Sequence, residues 1–531
     1  MFKTTHLDLR QAGTLNPLVQ DYIERNKKTD PYYTYFPDKK GFSQLLQTRP
    51  YAELNRKALV EILLRQSQQV GNTSEGSMAA IEKLGAKNTY TVTTGHQLCL
   101  FTGPLYFIYK IFSVINLARD LKAEFPDRDF VPVYWMASED HDFEEIASFY
   151  VEGKTITWRS DQKGAVGHFK TAELKSLLPE LSAALGLSEN SKYLRELFEN
   201  AYLKHSTLAE ATRYLVNALF GEYGLVCVDG DDAAFKQQFR SFFEKDLFEN
   251  AAQKQVSKST AELEALGYSI QVNPRPINCF YLEGQQRLRI EKNGELFQLV
   301  GTERSFTQQE LQEIINTRPE QLSPNVVLRP VYQQVILPNI AYAGGPGELA
   351  YWLEFKGMFD SFGVFFPVLM PRNFITVINK ATHRSMEKLK LSEKDMFRSS
   401  GELIHHYLVA ANSVFDLKKE EALLEAEYLN IAERSKAIDP TLERHVLAAR
   451  QKALNQLRVV EQKTNRALKK REETTIRQIE SIKQALFPKG VPQERYDNFA
   501  AFYLNYGPAF FKAIEKAVDP FTLDHKILVE E

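Results

Sequence analysis

The sequence predicts an α/β protein with a Rossmann-like parallel sheet core, two connecting insertions and a C-terminal antiparallel coiled-coil hairpin. Three observations support this prediction: a strand–helix–strand pattern at 89–136, further strands and helices at 208–369, and long charged helical runs at 372–486. Strands that alternate with helices are typical of a parallel sheet. At about 150 residues per domain, the chain of 531 residues is expected to form three to four structural units.

The first βαβ unit is predicted from the alternating strand Thr89–Thr93 and the apolar run Phe130–Met136. Between them, apolar residues recur at helical spacing after Pro104, a residue that suits the first position of a helix. Crossovers of this kind are almost always right-handed. We therefore expect the two strands to be parallel neighbours in one sheet.

The remaining core elements lie further along the chain. The sequence predicts a helix at Leu208–Phe220, a strand at Leu225–Val228, a strand at Val335–Tyr342, a helix at Glu348–Phe362 and a strand at Val364–Leu369. Together with the first unit, these pieces can form one parallel sheet flanked by helices.

Two stretches between the core elements have a different pattern. Ile156–Lys170 and Cys279–Val300 alternate polar and apolar residues, and the second contains the hairpin dipeptide Asn293-Gly294. We interpret both as insertions or satellite subdomains.

The helical region near the C-terminus is interrupted at Asp439-Pro440. Its second arm, Thr441–Leu486, is longer than an average helix and carries apolar residues at a spacing near 3.5. This pattern favours an antiparallel coiled coil and a homodimer formed through it. The alternative is a surface helical hairpin that packs only on its own domain.

These patterns divide the chain into seven segments. The segments are 1–150, the N-terminal part and first half of the core; 151–204, insertion 1; 205–260, core continuation; 261–322, insertion 2; 323–375, the last core strands and helix; 376–490, the coiled coil; and 491–531, a C-terminal segment that packs on the core.

Composition excludes several classes of protein. Sixty-six Lys and Arg balance 68 Asp and Glu, so the net charge of −2 predicts neither a nucleic-acid partner nor an anionic membrane partner. Three cysteines form no Cys-x-x-Cys pair and are expected to be buried thiols. Because no apolar run approaches the roughly 18 residues of a membrane span, we expect a cytoplasmic protein.

The segment Thr94–Pro104 joins the first strand to its helix and contains two glycines. Gly95 is expected to take a positive φ at a tight turn, and Gly103 to let a ligand approach the backbone. A helix that begins at Pro104 would present free N–H groups to a phosphate or carboxylate. Both glycines are therefore assigned to nucleotide or phosphate binding.

The same segment carries side chains suited to catalysis. His96 is predicted to donate a hydrogen bond to a developing negative charge, and Gln97 and Thr94 are assigned to substrate binding. The alternative is that His96 and Gln97 only hold the loop in place. Cys99 has apolar neighbours and is interpreted as an unreactive buried thiol.

A run of acidic residues follows the second strand. Glu139, Asp140, His141 and Asp142 are assigned as catalytic residues because crowded carboxylates can bind an ammonium group or accept a proton. Such a cluster is also compatible with Mg²⁺. The alternative is an acidic first helical turn. Parallel strands would place this cluster beside the loop that follows the first strand.

A third glycine-rich turn follows a later strand of the predicted sheet. Gly344, Gly345 and Gly347 permit close approach of a phosphate, although a plain tight turn would have the same composition. Arg372 and Asn373 end the last strand and are assigned to substrate binding. Arg372 could pair bidentately with a substrate carboxylate or phosphate, or form a surface ion pair instead.

Taken together, these motifs resemble one known family, the bacillithiol biosynthesis cysteine-adding enzymes. The motifs that carry the resemblance are Thr94–Gln97, Phe101–Tyr106, Pro132–Asp142, Ala343–Glu348 and Gln493–Arg495. The order of parts, a Rossmann-like core with two insertions and then a coiled coil, also matches that family.

The resemblance implies a ligase that joins the carboxyl group of cysteine to the glucosamine amine of glucosaminyl malate, the last step of bacillithiol synthesis. It also implies ATP or another nucleotide, and a nucleotide pocket near the base of the coiled coil to which Arg495 is assigned. Two alternatives remain. One is another ATP-dependent ligase or nucleotidyl transferase with a different amine or acid, and the other is a coiled-coil scaffold with a degenerate enzyme domain.

Overall fold

The computed structural model describes residues 2–48, 50–51, 54–411 and 415–531. The strands, numbered in chain order, are β1 (Phe2–Asp8), β2 (Thr89–His96), β3 (Asp129–Met136), β4 (Ser148–Val151), β5 (Lys154–Thr157), β6 (Val226–Asp229), β7 (Cys279–Glu283), β8 (Gln286–Asn293), β9 (Leu296–Leu299), β10 (Ser305–Phe306), β11 (Leu322–Pro324), β12 (Asn339–Gly344), β13 (Val368–Pro371), β14 (Phe374–Ile378) and β15 (Asp524–Glu530).

The α-helices are numbered in the same way. They are α1 (Leu9–Ala12), α2 (Pro17–Ile23), α3 (Lys39–Gln47), α4 (Arg56–Gln68), α5 (Glu75–Lys83), α6 (Tyr106–Glu124), α7 (Phe143–Ile146), α8 (Leu178–Leu185), α9 (Glu189–Tyr202), α10 (Leu208–Phe220), α11 (Ala233–Gln238), α12 (Arg240–Glu249), α13 (Ala251–Ala265), α14 (Gln308–Thr317), α15 (Arg329–Ile336), α16 (Pro346–Glu354), α17 (Lys356–Phe362), α18 (Lys380–Lys388), α19 (Ser400–Ala410), α20 (Lys418–Lys436), α21 (Pro440–Arg471), α22 (Glu473–Leu486), α23 (Phe499–Tyr506) and α24 (Pro508–Ala517).

Two compact units make up the chain. The first comprises residues 1–376 and 492–528, and the second comprises residues 377–491 and 529–531. The first unit therefore contains the whole of the central sheet and also receives a segment from near the C-terminus.

The central sheet has the strand order β13-β12-β2-β3-β6, and every pair in it is parallel. Strands β2 and β3 are in register along their full length, from Thr89 opposite Asp129 to His96 opposite Met136. The predicted parallel pairing of these two strands is confirmed. The segments that follow them consequently leave the sheet at the same edge.

Helix α6 packs on β2 and β3 through an apolar face. Ile108, Ile111, Phe112 and Ile115 recur at the spacing of one helical face, and each is at most 5% exposed. Burial of such side chains contributes roughly 1.5–3 kcal/mol each. This packing fixes the helix beneath the edge where the loops emerge.

The predicted start of this helix at Pro104 is wrong by two residues. A 3₁₀ turn at Leu100–Thr102 intervenes, and α6 begins at Tyr106. Its first turn is capped by a remote segment, because the Leu105 N–H donates to the Asp497 carbonyl over 2.8 Å. The predicted anion site at this helix terminus is therefore partly closed by the protein itself.

The predicted strand Val335–Tyr342 is also wrong in its first half. Helix α15 continues to Ile336, and β12 begins only at Asn339. Pro338 separates the two, and a residue that precedes proline disfavours the helical conformation. The apolar residues near Val335 lie on one face of α15. Over so short a stretch, their pattern in the sequence cannot be told from that of a buried strand.

Other differences are shifts of boundaries. The predicted helix Glu348–Phe362 is two helices, α16 and α17, and the last core strand is β13 rather than Val364–Leu369. In the helical region that was expected from Arg372 onward, a strand, β14, comes first.

The second predicted insertion contains the expected hairpin. Strands β8 and β9 pair antiparallel on either side of Asn293-Gly294, with Gly294 at φ 62°. They belong to a sheet of order β10-β9-β8-β7-β11. The antiparallel pair β4-β5 lies at the start of the first predicted insertion, which also contains the helices α8 and α9.

The second unit is built on the helical hairpin α20 and α21. Ion pairs between Glu421 and Arg458, and between Lys436 and Glu443, run in opposite directions along the two helices, as an antiparallel coiled coil requires. Asp439 accepts a hydrogen bond from the Thr441 N–H and caps α21. The second arm is not continuous, because it breaks at Glu472 between α21 and α22.

We expect native protein to resist thiol reagents. Cys99, Cys227 and Cys279 are all buried, and burial raises the pKa of Cys99 and of Cys227 to about 12. Because only the thiolate reacts, Ellman's reagent at pH 8 should label no thiol within minutes, and all three after denaturation in guanidinium. Rapid labelling of one native thiol would contradict the burial.

Candidate functional site

A cavity of about 430 Å³ opens at the edge of the central sheet where β2, β3 and β12 end. Eight of the site residues predicted from the sequence line this cavity. Those that line it are Gly95, His96, Gln97, Asp140, Gly345, Gly347, Arg372 and Arg495. Ligands of open parallel sheets bind at this edge, and the cavity is the candidate site.

The other predicted residues do not line this cavity. They are Thr94, Gly103, Glu139, His141, Asp142, Gly344 and Asn373. The structure also adds lining residues that the sequence did not indicate. These include Tyr106, Lys110, Glu145, Arg329, Tyr342, Glu348 and Tyr351.

Lys110 of α6 and Glu348 of α16 form the central ion pair of the site. The Lys110 side chain is 2% exposed, and its ammonium lies 2.8 Å from each Glu348 carboxylate oxygen. It also donates to the Gly95 carbonyl. Burial lowers the pKa of Lys110, and Glu348 opposes that change. Through these contacts the pair connects the end of β2, at Gly95, to the start of α16, which follows β12.

Glu348 accepts further hydrogen bonds that fix the glycine turn. Tyr342 Oη donates over 2.8 Å, and the Gly345 N–H donates over 2.9 Å as part of a capping box. The N–H of Gly345 is therefore occupied by the protein. Gly347 has no neighbour in the space where a side chain would lie, so the first turn of α16 stays open to a ligand.

Arg372 is neutralised by Glu494, a residue of the motif Gln493–Arg495 to which the sequence analysis assigned no role. Its guanidinium forms a bidentate pair with Glu494 over 2.6 and 2.9 Å, and both side chains are nearly buried. The interpretation that Arg372 pairs bidentately with a substrate anion is not supported, because its bidentate face is already used. It lies instead over the Tyr106 ring, 5.4 Å from the centroid, and forms part of the wall.

His96 is half-buried in the cavity wall. Its Nε2 atom lies 3.7 Å from Cys99 Sγ, and its ring packs on Tyr106 and Phe107. Burial lowers the pKa of His96 well below its usual value, and Lys110 acts in the same direction. The neutral imidazole can still donate one hydrogen bond. It does not generate a thiolate, because burial holds the pKa of Cys99 at about 12.

The two glycines of the first loop act differently from the prediction. Gly95 does not have a positive φ, and a side chain there would meet Tyr342 Oη at 3.2 Å. Gly103 has a φ of 64°, but the space beside it is filled by the Cβ of Cys99, 2.7 Å from where a side chain would begin. Gly103 therefore permits a close internal contact and not the approach of a ligand.

Asp140 is the predicted carboxylate that faces the cavity. Its oxygens lie 3.5 Å from Arg329 and 3.9 Å from Arg287, which is longer than a close ion pair. Burial raises the pKa of Asp140, but the two arginines outweigh burial and leave the pKa lowered. The group is consequently ionised at neutral pH and can accept a hydrogen bond from an amine.

His141 points away from this cavity and lines a neighbouring one. The guanidinium of Arg287 donates to its Nδ1 atom over 3.0 Å, so the remaining ring nitrogen carries the proton of the neutral ring. Burial and then Arg287 lower the pKa of His141. The lone pair that a general base needs is therefore already engaged.

Glu139 belongs to a buried network on the far side of β3. The ammonium of Lys236, which has no exposed surface, lies 2.7 Å from Glu139 and 2.6 Å from Asp231. His168 reaches the same aspartate over 2.7 Å. Burial lowers the pKa of Lys236, but the two carboxylates raise it more. The role of Glu139 is electrostatic support, so its assignment as a catalytic residue is not supported.

The remaining predicted residues are mostly structural. Thr94 Oγ1 donates to the Ala343 carbonyl and ties β2 to β12, and Asn373 Oδ1 accepts from the Asp519 N–H. Asp142 is exposed before α7, and Gly344 ends β12. None of these four is in contact with the cavity.

Two predicted residues flank the cavity mouth. Gln97 donates from its amide to Glu145 over 2.7 Å, so the pair presents a fixed polar surface. Arg495 is exposed and lines this same cavity. The family resemblance implied a separate nucleotide pocket near the base of the coiled coil for Arg495, whereas Arg495 lines the cavity at the sheet edge.

The segment that carries Arg495 is held against the first loop. Asn498 donates from its amide to the carbonyls of Phe101 and Gly103, over 2.7 and 2.6 Å. These bonds join residues that lie about four hundred positions apart. The C-terminal segment is therefore part of the site.

Among the described residues, no group of three or more His, Cys, Asp or Glu side chains is arranged to hold a metal ion. The search of the same residues for a helix long and apolar enough to cross a membrane found none. The carboxylate cluster of the sequence is therefore not a preformed metal cage.

One lining residue had a sequence indication that was overlooked. Lys110 interrupts the apolar face of α6 between Phe107 and Ile111, and a lysine there must be buried with a partner. Glu348 and Glu494 offered no comparable indication, because only the folded chain brings them to their partners.

Replacement of Lys236 by methionine should strongly destabilise the protein. The substitution removes the buried cation that Glu139 and Asp231 share, which costs about 3–5 kcal/mol of unfolding free energy. Urea unfolding followed by circular dichroism measures this loss. The exposed Lys254→Met serves as the control and should change stability by less than about 0.5 kcal/mol. Equal effects of the two substitutions would contradict the buried triad.

Comparison with known proteins adds a family to this geometry. Residues 2–373 match the model of the bacillithiol biosynthesis BshC N-terminal Rossmann-like domain, and residues 375–530 match that of the BshC C-terminal coiled-coil domain. The two matches cover nearly the whole chain, and their boundary coincides with the start of β14.

Individual relatives agree with the family models. A protein of Flavobacterium psychrophilum named "Putative cysteine ligase BshC" is 38% identical and covers 99% of each chain. One of Cytophaga hutchinsonii with the same name is 39% identical over 98% of each chain, and one of Chlorobaculum tepidum is 31% identical over 90% of this chain and 89% of its own. This chain belongs to the bacillithiol biosynthesis BshC family.

Proposed function

We propose that this protein is a ligase that joins the carboxyl group of cysteine to the glucosamine amine of glucosaminyl malate, the last step of bacillithiol synthesis. The observation that carries the proposal is an ionised carboxylate, Asp140, that faces a cavity at the ligand-binding edge of the sheet. Membership of the BshC family supports cysteine as one substrate, because relatives are named "Putative cysteine ligase BshC", and glucosaminyl malate is the amine that we propose.

Asp140 is proposed to receive the substrate amine. An amine must lose a proton to become a nucleophile, and a carboxylate within hydrogen-bond reach can orient the ammonium and accept that proton. Among the acidic residues predicted from the sequence, Asp140 is the one that lines the cavity, since Glu139 is bound to Lys236 and Asp142 is remote. His96 would donate to the oxygen of the carboxyl group under attack.

The carboxyl group of cysteine needs activation before an amine can attack it, and we propose ATP as the activating reagent. The open first turn of α16 at Gly347, together with Arg495 and Arg329, provides cationic and N–H groups that suit phosphate. Mg²⁺ would enter with the phosphates, as it usually does, because it retains several waters and needs few protein ligands.

Incubation with cysteine, glucosaminyl malate, ATP and Mg²⁺ should yield the cysteinyl amide, detected by mass spectrometry. AMP in equal amount would indicate an adenylate intermediate, and ADP an acyl phosphate. Omission of ATP should abolish the product. Amide formation with another amine but not with glucosaminyl malate would instead indicate a different ligase of the same fold.

The variant Asp140→Asn should lower kcat by about 10²–10⁴-fold, the range of general-base catalysis. Asparagine keeps the size of the side chain but cannot accept the proton. The matched control is Asp142→Asn, which lies outside the cavity and should keep turnover within about twofold. A scaffold with a degenerate enzyme domain would show no turnover to lose in either variant.

We also propose that the coiled coil mediates a homodimer. Several large apolar side chains of the hairpin are exposed, among them Leu423 at 72% and Ile438 at 84%. Exposed apolar side chains of this size favour burial against a partner. Light scattering should give twice the chain mass of 60.9 kDa, and Leu423→Glu should shift the equilibrium to the monomer. A wild-type monomer at micromolar concentration would contradict the dimer.

A further inference from the structure

A second cavity of about 270 Å³ lies beside the candidate site and has a strongly cationic lining. Arg275, Arg287 and Arg289 line it, while Asp140 is the carboxylate in its wall. His141 also lines it; burial and then the charge of Arg287 lower the pKa of His141, and its Nδ1 atom lies 3.0 Å from the Arg287 guanidinium. The lining therefore carries an excess of positive charge that a ligand of two negative charges would balance.

Arg287 is the fixed element of this pocket. Its side chain is 2% exposed and lies over the Phe280 ring, 4.0 Å from the centroid. Hydrogen bonds to Ser323 Oγ and to the Pro324 carbonyl, both of 3.2 Å, hold the guanidinium in place. A buried cation with fixed geometry is prepared to bind an anion without a further ordering cost.

The charge of Arg287 lacks a close counter-ion within the described residues. Asp140 lies 3.9 Å away and is shared with Arg329 at 3.5 Å. Burial and then Arg329 lower the pKa of Arg287 to about 10. Arg287 and Arg329 thus share Asp140 as their nearest carboxylate, while Glu139 acts on both from further away. Arg372, in contrast, has its own bidentate partner in Glu494.

Two more exposed arginines stand at the entrance. Arg275 and Arg289 share Glu291, at 3.7 and 3.4 Å, and their side chains are 57% and 32% exposed. Glu291 does not line the pocket. Both guanidinium groups can therefore turn toward a bound carboxylate at little cost.

The two cavities share part of their walls. Asp140 and Val326 line both of them. A ligand held by the arginines can consequently extend past Asp140 into the larger cavity. The end that reaches the larger cavity passes the carboxylate proposed above to receive an amine.

We propose that the arginine pocket, defined by Arg275, Arg287 and Arg289, binds the malyl dicarboxylate of the amine substrate. This inference rests on the proposed function, and it sets the direction of the substrate: the two carboxylates lie in the pocket, and the sugar amine lies beside Asp140. Bidentate pairing of arginine with carboxylate supplies both the affinity and the orientation. An uncharged glycoside would lack this attachment.

Titration with L-malate tests the pocket without turnover. Calorimetry at low salt should detect binding to the wild type, and the affinity should fall about tenfold in Arg287→Lys, which loses the planar fork, and in the exposed double variant R275Q/R289Q. Arg318→Gln, an exposed arginine of the same insertion outside the pocket, is the control and should bind as the wild type does. Absence of malate binding, or equal affinity in all variants, would overturn the proposal.

Steady-state kinetics then show whether the pocket binds the malyl group of the substrate or only a free dicarboxylate. In R275Q/R289Q the KM for glucosaminyl malate should rise about tenfold while kcat stays within about twofold, and L-malate should inhibit the wild type competitively. Glucosamine, which lacks the malyl group, should have equally poor kcat/KM in wild type and variant. An unchanged KM in R275Q/R289Q, or binding of L-malate that does not compete with glucosaminyl malate, would overturn the proposed subsite but not the proposed ligase activity. If no amide forms at all, the ligase proposal fails and the malate titration alone decides whether the pocket binds dicarboxylates.

Discussion

The ion pair of the buried Lys110 with the partly buried Glu348 is the interaction on which the site depends. Removing an ammonium and a carboxylate from water costs several kcal/mol each unless their geometry and hydrogen bonds are nearly complete. Completion here requires the Gly95 carbonyl, the Tyr342 hydroxyl and the Gly345 N–H together. The ends of β2 and β12 and the start of α16 are thus held in one arrangement, so the cavity does not have to be organised by its ligand.

The same principle, that a buried charge needs a partner, also explains how the carboxylates of the site are paired. The buried carboxylates Glu139 and Glu494 each have a close cation: Glu139 lies against Lys236, which it shares with Asp231, and Glu494 pairs with Arg372. Asp140 has only distant, shared arginines. The carboxylate that we propose to receive the amine is therefore one whose charge the protein neutralises only from a distance.

The fold was largely predictable because it follows from local patterns. Alternation in β2, the apolar run of β3 and the helical spacing of α6 each indicate an element, and right-handed crossover then determines the parallel pairing. The site was less predictable. Arg372 is typical of anion binding when taken alone, but its partner Glu494 lies more than one hundred residues away and reaches it only in the folded chain. The error at α15 has a different origin. Four of the six residues at 335–340 are apolar, a pattern that fits both the period of a helix and that of a strand.

The attachment of the C-terminal segment to the first loop bears on how the chain acquires its site during synthesis. Asn498 and Asp497 complete hydrogen bonds of Phe101, Gly103 and Leu105, and they emerge from the ribosome only after the entire helical hairpin has been made. Domains otherwise tend to fold in order as they are translated. A nascent Rossmann-like domain can form its central sheet early, but the first loop lacks these hydrogen bonds until the segment that follows the hairpin has been made. The final arrangement of this loop is therefore a late event of synthesis.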